Sequence, residues 1–169
     1  MMRILGSADF AFILRVINEA AQAYHGVIPD DRWKDPYMSA EELRSEVAAG
    51  VHFYGWWEEG SLLGVMGIQL VQDTTLIRHS YVLPHYQRRG IGARLLKHLL
   101  GLVTTPRVLV GTWEDAGWAI RFYTRHGFTA VSRRETDRLL RKYWCIPERQ
   151  IATSVVLQYT RPSSPASGC

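Results

Sequence analysis

Cysteine is nearly missing from this 169-residue chain, which has only Cys145 and Cys169. Two cysteines cannot build a disulfide framework. Neither stands at a metal-ligand spacing, so no metal is expected. Long apolar runs are missing too: none approaches the roughly 18 residues that cross a membrane. The opening MMRILGSADFAFILRVINEAAQAY lacks the cationic, apolar, small-residue order of a signal peptide. These absences lead to the expectation of a reducing, cytoplasmic, bacterial setting with no membrane partner. Charge of one sign is also modest, with 20 Lys and Arg against 16 Asp and Glu for a net +4. That balance favours an anionic ligand. The basic doublets Arg88-Arg89 and Arg133-Arg134 stand apart, however, and nucleic acid is not expected without a clustered basic face interleaved with aromatics. Neither G-x-x-x-x-G-K-S/T nor G-x-G-x-x-G with a later acidic residue occurs, which disfavours nucleotide-dependent kinases and dehydrogenases.

What is present reads as one domain over residues 1–160 with a Ser/Pro/Gly tail, 161–169, expected to be disordered. At 47% hydrophobic and 21% charged residues, the composition is that of a globular protein with a real core. Phe10, Ile13, Leu14, Ile17 and Ala21 recur at helical spacing, predicting a helix capped by Ser7 or Asp9 and running to about Tyr24. Ser39 and Glu42 form a capping-box pair for a second helix that Gly50 ends. The period then changes to that of strands in VHFYGWWE and LLGVMGIQLV, joined at Glu59-Gly60, and in TLIRHSYVL. A helix follows to about Val103, with Ile91, Leu95, Leu96, Leu99, Leu100 and Val103 on one side. RVLVGTW is a nearly continuous apolar run, as in a strand buried on both faces. A helix over DAGWAIRFYTRH, capped by Asp115 and stopped by Gly127, leads to strand FTAVS. A helix from Glu135 to Trp144 and a last strand, IATSVVLQY, complete a mixed α/β order.

The segment YVLPHYQRRGIGARLLKHLL places Gly90 and Gly92 at the mouth of a helix, just after a strand. Each glycine costs about 1 kcal/mol relative to alanine in a helix interior. Helix N-terminal amides lack intrahelical partners and attract anions where side chains stay clear. Taken alone, the glycines fit an anion-binding turn and a plain tight turn equally well. The segment resembles the acyl-CoA-binding motif Q/R-x-x-G-x-G/A of the GNAT N-acetyltransferases, which follows a strand ending V-x-P. AIRFYTRHGF, from Ala119 to Phe128, resembles the family's second signature, A-x-x-x-Y-x-x-x-G-F. The two occur in order, separated by a buried strand, and with flanking elements the likeness covers roughly residues 3–159.

The resemblance implies a mostly antiparallel sheet of about seven strands, with strands four and five parallel and splayed into a slot. It implies acetyl-CoA as co-substrate, with Val82 pairing the pantetheine arm. The amides of Gln87, Arg88, Arg89, Gly90, Ile91, Gly92 and Ala93 would hold the pyrophosphate. It makes Tyr123 the general acid that returns a proton to the departing thiolate, a position where core packing is the other reading. It also makes a homodimer possible. Many members carry Asn where this chain has Ala116, which puts one cofactor hydrogen bond in doubt and leaves a non-catalytic acyl-CoA sensor as the alternative. Neither cysteine lies in a motif, so the amine is expected to attack directly.

An amine of pKa about 10 is protonated at neutral pH and needs a base. His79 is the first candidate, because alternation groups it with Ile77 and Tyr81, opposite Ser80 and Val82. Glu114 and Asp115 are weaker candidates. The acceptor, a small-molecule or peptide amine, is expected in the first half of the chain, where Tyr24, Trp33 and Tyr37 supply aromatic walls. Asp30, Asp31 and Asp35 suit a cationic amine but equally suit solvated turns. Tyr143 and Trp144 either wall the pocket or cover the sheet.

Overall fold

A computed structural model describes residues 1–161, so the tail expected to be disordered lies, apart from Arg161, outside the described residues. Seven strands form one sheet: β1 (Met2–Ile4), β2 (His52–Glu58), β3 (Ser61–Val71), β4 (Thr74–Val82), β5 (Arg107–Trp113), β6 (Thr129–Ala130) and β7 (Ser154–Thr160). Their spatial order is β1-β2-β3-β4-β5-β7-β6. Only β4 and β5 pair in parallel; the other neighbours are antiparallel. The β2–β3 hairpin turns at Glu59 and Gly60, whose φ angles of 48° and 76° suit a two-residue turn that follows the strand twist.

Helix α1 (Phe10–Ala21) begins one residue after Asp9, and single 3-10 turns flank it at Ser7–Asp9 and Gln22–Tyr24. Asp9 accepts two hydrogen bonds from Arg3, at 2.8 and 2.9 Å, which ties β1 to this helix. Helix α2 (Ala40–Ala48) carries the expected capping box: Ser39 Oγ accepts from the Glu42 amide, and Glu42 accepts from the Ser39 amide. Helix α3 (Ile91–Leu102) buries Ile91, Leu95, Leu96 and Leu99 of the stripe its spacing predicts; Leu100 is half-buried, and Val103 is buried just past the helix end.

On β5, Val108 and Val110 join the main core with Ile77 and Leu157. Leu109 turns the other way, with Leu76 and Val156, into a second cluster. The strand is thus buried on both faces. Helices α5 (Arg133–Tyr143) and α6 (Glu148–Ala152) cover that second face with Leu139, Leu140, Tyr143 and Ile151.

Four boundaries depart from expectation. Helix α1 has no side-chain cap, because Asp9 accepts from Arg3 and from the Gly6 amide instead. Helix α4 (Gly117–Arg125) is not capped by Asp115: the Ala116 carbonyl takes the first amide bonds, and no side chain caps it. Strand FTAVS shrinks to two residues because Ser132 is taken up as the cap of α5, accepting from the Glu135 amide. The last strand starts at Ser154 rather than Ile151, because Pro147 opens α6 and its carbonyl accepts the Ile151 amide. Among the described residues, no helix is long and apolar enough to cross a membrane.

Candidate active site

Strands β4 and β5 hold together only at Thr75–Val108, Leu76–Leu109 and Ile77–Val110. Past those pairs, β4 stays with β3 as far as Val82–Gly64, while β5 stays with β7 as far as Trp113–Ser154. A slot therefore opens between residues 78–82 and 111–113. A bulge marks its start. Two β4 residues, His79 and Ser80, face the single β3 residue Met66, and His79 takes a left-handed φ of 50°. A bulge bends the strand and re-aims its side chains.

At the end of β4 the chain makes the glycine turn. The first helical bond of α3 runs from the Arg94 amide to the Gly90 carbonyl, so the amides of Ile91, Gly92 and Ala93 precede it without intrahelical partners. Gly90 caps the helix at φ 79°, and a Cβ built on it meets nothing within 4 Å. The side-chain direction of Gly90 is therefore open space beside these amides. Gly92 differs: a Cβ there would touch Phe122 at 3.4 Å. Arg88 and Arg89 are exposed beside the turn. Gln87 departs from expectation, because its amide is spent on the Pro84 carbonyl at 3.3 Å. Its side chain instead donates to the Val82 carbonyl at 3.1 Å, at the edge of the slot.

Tyr123, on α4, is 4% exposed and packs edge-on against Phe122 and Phe128, so it fills core space as well as standing at the slot. Burial pushes its phenol up to about 12, with the Ser80 hydroxyl acting in the other direction. At neutral pH it is a protonated donor beside the bulge.

A cleft of about 570 Å³ lies between α2 and the α5–α6 region. Ile77, His79 and Tyr81 all line it, as alternation predicts, but the bulge brings Arg78 in as well. His79 stacks on Phe53 at 5.9 Å, and its Nε2 lies 3.0 Å from Glu46 Oε2. Burial, the largest effect, pushes the Glu46 carboxyl up, yet His79 and Arg78 together hold it below its ordinary value. An ionised carboxylate only accepts, so Nε2 carries the imidazole proton and Nδ1 is left as the acceptor. Burial also lowers the His79 pKa, partly offset by Glu46, which keeps the ring neutral at pH 7.

Tyr24 and Tyr37 line the cleft as expected, joined by Tyr81. Tyr24 contacts Tyr37 at 5.6 Å and Tyr81 at 6.3 Å, and Tyr37 Oη accepts from Trp113 Nε1 at 3.0 Å. Burial pushes all three phenols up. Trp33 stands outside the lining. It stacks on His25 at 4.8 Å and packs with Ile28, Trp113 and Ala116, pinning the loop. Ala116 is fully buried in that cluster, so apolar packing explains why the position holds no polar residue. Trp144 lines the cleft, while Tyr143 covers the sheet, donating to Asp73 and accepting from Arg107. Glu114 and Asp115 lie outside the lining, as do Asp30, Asp31 and Asp35. Glu46, Arg78, Arg32 and Thr112 line it and were not singled out from sequence. Nothing local marks Glu46, which sits 33 positions before its partner.

Residues 14–128 match the Acetyltransferase (GNAT) family. Over 104 residues the chain is 32% identical to the N-alpha-acetyltransferase RimI of Mycobacterium tuberculosis, covering 59% of this chain and 66%, just under two thirds, of that protein. Over 107 residues it is 28% identical to a probable spermine N(1)-acetyltransferase of Bacillus subtilis subsp. natto, covering 54% of this chain and 70% of that one. The fold matches that of the PaiA N-acetyltransferase of Thermoplasma acidophilum, solved in complex with coenzyme A, with a TM-score of 0.72 at 17% identity, covering 95% of this chain and 98% of that one. The matched segment takes in the splayed strands, the glycine turn and the tyrosine helix, and the chain belongs to the GNAT acetyltransferase family, an acyltransferase family that moves the acetyl group of acetyl-CoA to an amine.

Proposed function

We propose that this chain acetylates the primary amine of a small acceptor by direct attack, with Tyr123 as proton donor and His79 as proton acceptor. The parting of β4 and β5 after Ile77 and Val110, ending at the free amides of the Gly90 turn, carries this reading. Acetyl-CoA supplies the acetyl group as an activated thioester. The amides of Ile91, Gly92 and Ala93 hold the pyrophosphate, aided by Arg88 and Arg89, and the exposed edge of Val82 guides the pantetheine arm. Gln87 positions the Val82 carbonyl rather than lending its own amide. His79 Nδ1 takes the proton that an acceptor amine of pKa about 10 carries at neutral pH. Tyr123 Oη gives its proton to the departing sulfur. The thiolate of an aqueous thiol of pKa near 8.5 is a weaker base than a phenolate whose phenol lies near 12, so this transfer needs the same dry surroundings to raise the thiol too.

The sensor alternative rested on Ala116, and packing against Ile28 and Trp113 accounts for that residue. Cys145 borders the cleft and is exposed, so a covalent route is testable. Direct attack expects Cys145→Ser to keep full turnover. The decisive experiment combines acetyl-CoA-induced stabilisation with an amine panel followed by release of free thiol. A rise in melting temperature with turnover on at least one amine supports the reading. No stabilisation at millimolar acetyl-CoA removes it, and stabilisation without any turnover leaves a binding module.

A further inference from the structure

Charges in the acceptor cleft pair off unevenly. Lys34 is bonded to Glu42, and Arg78 lies 2.8 Å from Glu46. Arg32, the third cation in the lining, has no carboxylate within 4.0 Å among the described residues. Its Nε is buried and makes no hydrogen bond. A buried donor without a partner is costly, and native structures hold few of them. The unpaired acid of the lining, Glu41, is exposed on the first turn of α2, where water and the helix dipole both favour its charge.

Arg32 is also held in place. It closes the 3-10 turn Asp30–Arg32, and the preceding Asp31 accepts two bonds from Arg149 of α6, at 3.0 and 3.2 Å. That bridge ties the turn to the opposite wall of the cleft. The neighbouring aspartates, which would attract a polycation, lie outside the lining.

We propose that the acceptor is an amine that also bears a carboxylate, and that Arg32 binds that carboxylate while the amine lies toward His79. A guanidinium fork matches a carboxylate with two parallel bonds, and a cleft of about 570 Å³ has room for a small acceptor. The assignment rests on the acetyl-transfer reading but can fail separately from it.

The test compares acceptors that differ only in the acid: phenylalanine with phenethylamine, and lysine with cadaverine. Phosphoethanolamine serves as a phosphate-bearing arm. Each is measured with wild type, Arg32→Gln and Arg32→Lys, by turnover and by the shift in melting temperature of the CoA-bound protein. The expected result is a carboxylated acceptor preferred over its decarboxylated partner by roughly 10- to 100-fold in kcat/KM, a preference that Arg32→Gln abolishes and Arg32→Lys partly keeps. The acetyl-CoA-induced stabilisation should be the same in all three proteins, which checks folding. Carboxylate-dependent binding that Arg32→Gln removes, without turnover, supports the Arg32 site and sinks the transfer reading instead. Equal use of both partners, a preference that survives Arg32→Gln, stronger use of phosphoethanolamine, or no binding of any carboxylated amine overturns the proposal.

Discussion

His79 Nε2 lies 3.0 Å from Glu46 Oε2, across 33 residues of sequence and between α2 and the bulge of β4. The carboxylate fixes which imidazole nitrogen is free, so Glu46 acts as a positioning residue for His79. Only the neutral ring accepts a proton, and its pKa is lowered from 6.5 mainly by burial. Turnover is therefore expected to hold steady down to about pH 6.5 and to fall as pH drops through the lower folded value. Glu46 opposes that lowering, so Glu46→Gln should move the acidic limb to still lower pH while reducing the plateau. His79→Ala should lower kcat/KM by about 10²-fold near neutral pH. A pH–rate profile checks both, and an acidic limb that ignores both substitutions removes His79 from the mechanism.

Tyr123 is the proposed counterpart on the leaving-group side. With its phenol pushed up to about 12, it stays protonated through any ordinary assay pH. No alkaline loss of activity from this group is expected below pH 10. Tyr123→Phe removes the hydroxyl but keeps the ring that packs on Phe122 and Phe128. Turnover should fall by about 10²-fold or more, with acetyl-CoA still raising the melting temperature. Unchanged turnover would return Tyr123 to a packing role alone.

How far the sequence carried these assignments depended on how local each signal was. The α3 stripe, the β5 run and the β2–β3 turn rest on neighbours in the chain, and all three form as read. The glycine turn was legible because its purpose, free amides behind a strand, is local too. Asp115 misled because a residue type that commonly caps helices stands one position before Ala116, whose carbonyl starts the helix without a side-chain cap. The cleft was the least legible part. Its walls come from α2, the Arg32 turn, β4 and α6, held together by contacts such as Glu46–His79 and Asp31–Arg149, the latter 118 residues apart, and no periodicity encodes them. Trp33 and Tyr37, four residues apart, looked alike in sequence, yet only Tyr37 reaches the cleft.

Gly90 and Gly92 also looked alike and separate in the structure. Gly90 has a φ of 79° and open space at its Cβ position. Alanine there adopts a left-handed conformation costing about 1–2 kcal/mol and adds a methyl beside the proposed anion site. Gly90→Ala should lower the melting temperature and raise the KM for acetyl-CoA by roughly tenfold, the value of one charge-assisted hydrogen bond. Gly92→Ala places its methyl at 3.4 Å from Phe122, an ordinary contact, within a right-handed helix. It should leave the fold as stable or slightly more so, by up to about 1 kcal/mol, with little change in that KM. An unchanged KM for acetyl-CoA in Gly90→Ala would count against phosphate binding at this turn.

Gly67 offers a way to disturb the bulge from behind. It lies on β3 opposite Arg78, the residue just before His79. A Cβ at this position would stand 2.8 Å from Val51 Cγ1 and 3.0 Å from the Arg78 carbonyl oxygen. Val51 can yield by rotation, but a backbone carbonyl can retreat only by shifting β4, and the shift falls where the bulge sets the aim of His79. Gly67→Ala should therefore destabilise by about 1–3 kcal/mol, as overpacking does, and should lower kcat while leaving the KM for acetyl-CoA nearly intact. The distant Gly90 turn is untouched by this change, which is why the two constants should part. Gly101→Ala, in α3 with nothing within 4 Å of its Cβ position, is the control and should gain up to about 1 kcal/mol. A Gly67→Ala protein that unfolds earlier but keeps its kcat would mean that the bulge geometry does not position the base.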